Sequence, residues 1–134
     1  MGIAEKKAMR EFTERYEKES LDKLKKASGN SSITVEFNFD EKLEAPAIAI
    51  ANNNFNGDFV DGVVLFCEDA DYREELAKIS KYHVTIIPEV EQATHGIYGT
   101  LKIDGEKLNV TMDGLRKLDN GATVYVSEAL QKLF

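Results

Sequence analysis

The stretch Ile97-Tyr98-Gly99-Thr100-Leu101-Lys102-Ile103-Asp104-Gly105-Glu106-Lys107-Leu108-Asn109-Val110-Thr111-Met112 sets an Asp-Gly step between two alternating runs. Asp-Gly in that setting is the chemistry of a two-residue type I′ hairpin turn, because glycine takes a positive φ at no steric cost. With Asp104 and Gly105 as the turn residues, Ile103 opposes Glu106, Leu101 opposes Leu108, Gly99 opposes Val110 and Ile97 opposes Met112. Ile97, Leu101, Leu108, Val110 and Met112 then share one face. Tyr98 with Thr111, Thr100 with Asn109 and Lys102 with Lys107 share the other. A slip of one residue would scramble that sorting. The sequence therefore predicts an antiparallel hairpin with one buried face.

Upstream, residues 83–88 read as a strand that Pro88 ends, since proline cannot donate to a ladder. Residues 32–39 form the clearest strand, with Ile33, Val35, Phe37 and Phe39 alternating with Thr34, Glu36 and Asn38. Between them the reading is less uniform. Pro46 and the run Asn52, Asn53, Asn54, Asn56 predict an irregular connection, in which Ala47–Ala51 forms a short edge strand. Residues 58–69 fit two readings. Val63–Cys67 is a continuous apolar run suited to a buried strand, yet Phe59, Val60, Val63, Val64 and Cys67 also share a helical face with Asp58 as N-cap. We favour two consecutive helices, the second opened by the capping-box pair Asp71 and Glu74 and running to Tyr82.

The chain opens with a long amphipathic helix over residues 3–27, its stripe formed by Ala8, Met9, Phe12, Tyr16, Leu24 and Ala27. Glu11 with Arg15, Glu14 with Lys18, Glu19 with Lys23 and Asp22 with Lys26 stand four apart in the favourable orientation, and Gly29 is placed to end the helix. A short helix closes the sequence over about 124–134. These elements predict a single α+β domain over 1–134: a three- to four-stranded, mostly antiparallel sheet with a long N-terminal helix, one or two middle helices and a short C-terminal helix.

With 134 residues, 43% hydrophobic and 31% charged, the composition is that of a soluble globular protein able to fold without staples. The single cysteine fits a reducing compartment, hence a cytoplasmic location. No apolar run reaches the roughly 18–20 residues that span a bilayer, and the highly charged N-terminal segment is not a signal peptide. The net charge is −7. Residues 36–75 account for the excess: Lys42 and Arg73 stand against Glu36, Asp40, Glu41, Glu44, Asp58, Asp61, Glu68, Asp69, Asp71, Glu74 and Glu75. Such a field repels phosphate backbones, so nucleic acid is not an expected ligand, and neither is a membrane.

Chemistry-bearing motifs are sparse. Cys67 among Val63, Val64, Leu65 and Phe66 reads as an inert core thiol; as a nucleophile it would need His83 or His95 beside it. One cysteine and two distant histidines make no zinc set, and no helix aligns Glu89, Glu91 and His95. Asn52-Asn53-Asn54-Phe55-Asn56-Gly57 matches the first half of a calcium loop, but Val63 stands where the bidentate glutamate belongs. Val63 also stands where a P-loop would need lysine after Gly57 and Gly62. No cofactor or metal is expected.

Three function classes fit these features. The first is a non-enzymatic protein-interaction module, of inhibitor, immunity or adaptor type, docking a basic protein partner through the acidic segment, with Asp58, Asp61, Glu68, Asp69, Asp71, Glu74 and Glu75 as contact residues. The alternatives are a homo-oligomeric structural protein and a small hydrolase-like enzyme with loops near Asp58, Asp61, His83 and His95.

Overall fold

The computed structural model describes residues 1–90, 99–114 and 122–134. Its first element is one unbroken helical run: α1 (Ile3–Arg15), a π-turn (Tyr16–Ser20) and α2 (Leu21–Ser28), ended by Gly29 at φ 69°. The wide turn has a cause in the sequence. Phe12, Tyr16, Ser20, Leu24 and Ser28 are all buried, a strict spacing of four. An α-helix turns every 3.6 residues, so five core positions four apart drift off one face unless the helix is locally under-wound. The π-turn supplies that under-winding. None of the four expected ion pairs closes, and Arg15 instead turns forward to Glu19, Nε to Oε2 at 2.7 Å.

After β1 (Thr34–Phe39), the chain repeats the device. α3 (Ala45–Asn53), a second π-turn (Asn54–Phe59) and α4 (Val60–Phe66) form another unbroken run. Its buried positions Ala51, Phe55, Phe59, Val63 and Cys67 again stand four apart. The expected edge strand at Ala47–Ala51 and the irregular asparagine segment are therefore both helical. Pro46 lies in the first turn, where a missing N–H costs nothing, and the alternating alanines are the best helix formers. The two-helix reading of residues 58–69 and beyond holds, with α5 (Ala70–Leu76) following α4. Asp69, not Asp71, caps α5; its Oδ1 accepts the N–H groups of Asp71 and Tyr72 at 2.9 and 3.2 Å. The helix ends at Leu76 rather than Tyr82, which already belongs to β2 (Lys81–Ile87).

β3 (Gly99–Asp104) and β4 (Lys107–Asp113) complete a four-stranded sheet in the order β1-β2-β4-β3, and α6 (Ala122–Gln131) closes the chain. The sheet is mixed rather than mostly antiparallel: β1–β2 and β2–β4 are parallel, and only β3–β4 is antiparallel. The helical crossover between β1 and β2 imposes the first parallel pairing. The hairpin exists, but its register differs from the expected one by two residues. Leu101 pairs with Val110, Ile103 with Leu108 and Gly99 with Met112, which makes Gly105 and Glu106 the turn residues. Gly105 takes φ 61° at the first of those positions. Ile97, Tyr98, His95 and Glu91 lie outside the described residues.

All the helices described lie with one sheet face. Tyr82, Val84, Ile86, Leu108, Val110 and Met112 point into a core shared with Phe12, Phe55, Phe59, Val63 and Leu130. Phe12 meets Phe37 and Phe39 edge-on, at 5.0 and 5.3 Å between ring centroids. The other sheet face is polar and partly open. Its rows, read across β1, β2, β4 and β3, are Thr34, Lys81, Lys107, Asp104; then Glu36, His83, Asn109, Lys102; then Asn38, Thr85, Thr111, Thr100. Where this face leaves β4 it is covered: Asp113 is 1% exposed and its Oδ2 accepts the Val90 N–H at 2.8 Å.

Candidate functional site

The acidic residues singled out from the sequence do not form one cluster. Asp58 sits half-buried within the second π-turn and is engaged there; Asp61, on α4, is exposed with one oxygen 3.9 Å from Lys23 Nζ. Glu68 is exposed in the short connection to α5, and Asp69 is spent on the α5 N-cap. The structure brings Asp71, Glu74 and Glu75 together, along a shallow groove of about 570 Å³ that Tyr72 and Phe134 also line.

Aromatic stacking builds that groove. Phe66, at the end of α4, is 1% exposed and stacks on Tyr72 at 4.9 Å, while Phe134 reaches it from the chain's last turn at 5.7 Å. Phe66 thus fixes two rings far apart in the sequence, Tyr72 and Phe134, as the apolar part of an acidic groove. Phe134 remains 39% exposed. Sequence reasoning missed Tyr72 and Phe134 as surface features, because only their shared contact with Phe66 joins them. A spacing of three between Asp71 and Glu74, with Tyr72 between, was the available signal for the rim.

Charge balance at the groove follows from where the nearby bases go. Arg73 lies on α5 itself, yet its guanidinium donates to the carbonyls of Ala27 at 2.8 Å and Lys26 at 3.3 Å. It caps the C-terminal end of α2, where a cation is favoured by the helix dipole. Lys78 reaches Glu75 at 3.1 Å. Glu68, Asp71 and Glu74 have no cationic group within 4.0 Å among the described residues.

The pairing of Cys67 with His83 as nucleophile and base loses its geometry. Cys67 is 7% exposed, and burial pushes its thiol up from 9.0 to about 11, only partly offset by Arg73. A protonated, enclosed thiol is a poor nucleophile. His83, its candidate base, points to the polar sheet face, whereas Cys67 belongs to the core on the other side. His83 Nε2 lies 2.7 Å from Glu36 Oε2 instead. His95 lies outside the described residues. Among the described residues no group of three or more His, Cys, Asp or Glu side chains could hold a metal ion, and no helix is long and apolar enough to cross a membrane.

A second polar assembly, inside the molecule, joins the two π-turns. Ser20 Oγ donates to Asn56 Oδ1 at 2.7 Å, both side chains being buried, and Asn56 Nδ2 donates to Asn52 Oδ1 at 2.9 Å. Arg15 closes the outer end on Asn53 Oδ1 at 2.6 Å. The asparagine-rich segment that half-matched a calcium loop is therefore a helix-to-helix hydrogen-bond seam. Comparison of the chain with family models, curated proteins and solved structures gave no match.

Proposed function

We propose that the protein is a non-catalytic interaction module of the cytoplasm that docks a lysine- and arginine-rich segment of a partner protein on the α5 groove. The observation that carries this reading is the combination at one place: Asp71 and Glu74, which border the rings of Tyr72 and Phe134, lack a cationic partner among the described residues, as does Glu68 in the connection just before α5. Lysine and arginine present that pattern in reverse, with apolar stems that lie on rings and charged heads that reach carboxylates. Uncompensated exposed charge speeds encounter with an opposite surface and makes it salt-sensitive.

The test uses a labelled peptide of about twelve alternating lysines and arginines, titrated at low and physiological salt. The triple variant Glu68→Gln, Asp71→Asn, Glu74→Gln should weaken binding at least tenfold while folding stability holds or rises. Asp69 is left intact because losing an N-cap costs about 1 kcal/mol. Tyr72→Ala should weaken binding severalfold without altering net charge. A control neutralising Glu11, Glu14 and Glu17, three exposed acids of the first helical run, should leave affinity within twofold. If the control weakens binding as much as the groove triple, only net charge acts and the reading falls. Equal binding by wild type and triple variant would also overturn it.

A further inference from the structure

The open sheet face carries a second concavity, of about 320 Å³, lined by Thr34, Glu36, Lys81, His83 and Lys107 with Val35 and Tyr82. Thr34, Lys81 and Lys107 are the first residues of β1, β2 and β4, and the parallel register sets them side by side in one row. Neighbouring strands lie about 4.8 Å apart, so the two lysines leave the sheet as adjacent like charges, an arrangement that is unfavourable on its own. Neither ammonium has a carboxylate within 4.0 Å among the described residues, although Asp104 is the cross-strand neighbour of Lys107. The one acid lining the concavity, Glu36, is held on His83 at 2.7 Å. What remains facing the space is a set of donors: two ammonium groups and the Thr34 hydroxyl.

A donor set of that kind complements an anion with several oxygens, which can accept from both lysines and the threonine at once. The volume is at the small end of ligand-sized cavities, near 300 Å³. Tyr82 turns its ring into the core, where it is fully buried, so that ring is not available to stack a base as single-stranded nucleic acid requires. We propose that the row Thr34, Lys81, Lys107 binds the phosphate group of a small molecule, on the sheet face opposite the helices.

The full chain, labelled with 15N, would be titrated with inorganic phosphate and, separately, with glucose 6-phosphate, at ionic strength held constant with chloride. Saturable shifts centred on the amides of Thr34, Lys81, His83 and Lys107 are expected. Tighter binding of the sugar phosphate would identify a phosphorylated metabolite as the occupant, and equal affinity would identify the free anion. Lys81→Gln and Lys107→Gln should each weaken binding at least fivefold, and the double variant should abolish it while the remaining spectrum is unchanged. Phosphate should also raise the thermal midpoint of the wild type and leave that of the double variant where it was. Absence of saturable shifts with either ligand, or shifts that persist in the double variant, would overturn the proposal.

Discussion

Gly62 lies on α4 where that helix meets α6, and replacing it with alanine tests how closely the two are packed. A Cβ at Gly62 would stand 2.5 Å from both Cβ and Cγ1 of Val126 and 2.9 Å from the Thr123 carbonyl oxygen. Carbon atoms rest about 3.5–4.0 Å apart, so roughly 1 Å of separation must be found. Rotating Val126 cannot supply it, because its Cβ does not move with χ1 and the third obstacle is backbone. Instead α6 must shift as a body, disturbing the buried Val126, Ala129 and Leu130. Overpacking of this type costs about 1–3 kcal/mol, and the backbone obstruction argues for the upper half. Opposing it, alanine in place of glycine gains about 1 kcal/mol of helix propensity. The net expectation for Gly62→Ala is a loss of about 1–2 kcal/mol. Gly57, five residues earlier in the same helical run, is the internal control: nothing lies within 4 Å of its would-be Cβ. There the same substitution should stabilise by about 0.5–1 kcal/mol. Urea denaturation of both variants, compared at equal m-values, measures the difference. A Gly62→Ala midpoint at or above the wild-type value would refute the close α4–α6 contact.

Two further outcomes are expected. Asn56→Ala should cost about 1–3 kcal/mol by stranding the buried Ser20 hydroxyl, measured by the same denaturation and read against an exposed control such as Asn38→Ala, which should change stability by no more than about 0.5 kcal/mol. Alkaline pH should also destabilise the fold. Burial raises Cys67 from 9.0 to about 11 and, with a smaller contribution from Glu17, Tyr16 from 10.0 to about 12. The neutral forms are favoured in the folded state, so this stability is fully present below pH 9 and is lost as pH rises through about 11 and 12, together on the order of 5 kcal/mol. Cys67→Ala should remove the earlier part of that decline, and an unchanged pH profile for the variant would contradict the assignment.

What the sequence specified, and what it left open, has a physical pattern. Alternation in residues 97–112 sorts side chains to faces, but its period of two cannot distinguish registers that differ by two. That is the slip observed: Leu101 moves from Leu108 to Val110 and every described strand residue keeps its face. Strand direction was not legible, because β2 reads the same whether β1 and β4 run with it or against it. In Ala47–Ala51, alternation of alanine and isoleucine mimicked a strand, and only the spacing of four from Ala51 through Phe55, Phe59 and Val63 to Cys67 marks the helix. For the candidate site, the acids were legible as composition. Their partition was not, since Asp69 is consumed by capping and Arg73 by the α2 carbonyls. The ring pair of Tyr72 and Phe134 and the row of Thr34, Lys81 and Lys107 arise from tertiary neighbours alone.

The π-turns also determine where this chain can change length. Loss of a residue from an ordinary α-helix rotates everything beyond it by about 100°. Deleting Lys23, for instance, would swing Leu24 and Ser28 away from the core. Deleting Lys18 has a different result. The buried positions from Phe12 onward would then be spaced four, three, four and four, which is the pattern of a plain α-helix, and every one of them would keep its direction. The same holds for Gly57 in the second run, between Ala51 and Cys67. Each long helix therefore has one internal point at which a residue can be lost without altering which side chains face inward. The two points adjoin across the Ser20–Asn56 hydrogen bond. Length variation inside these helices is thus confined to a matched pair of positions.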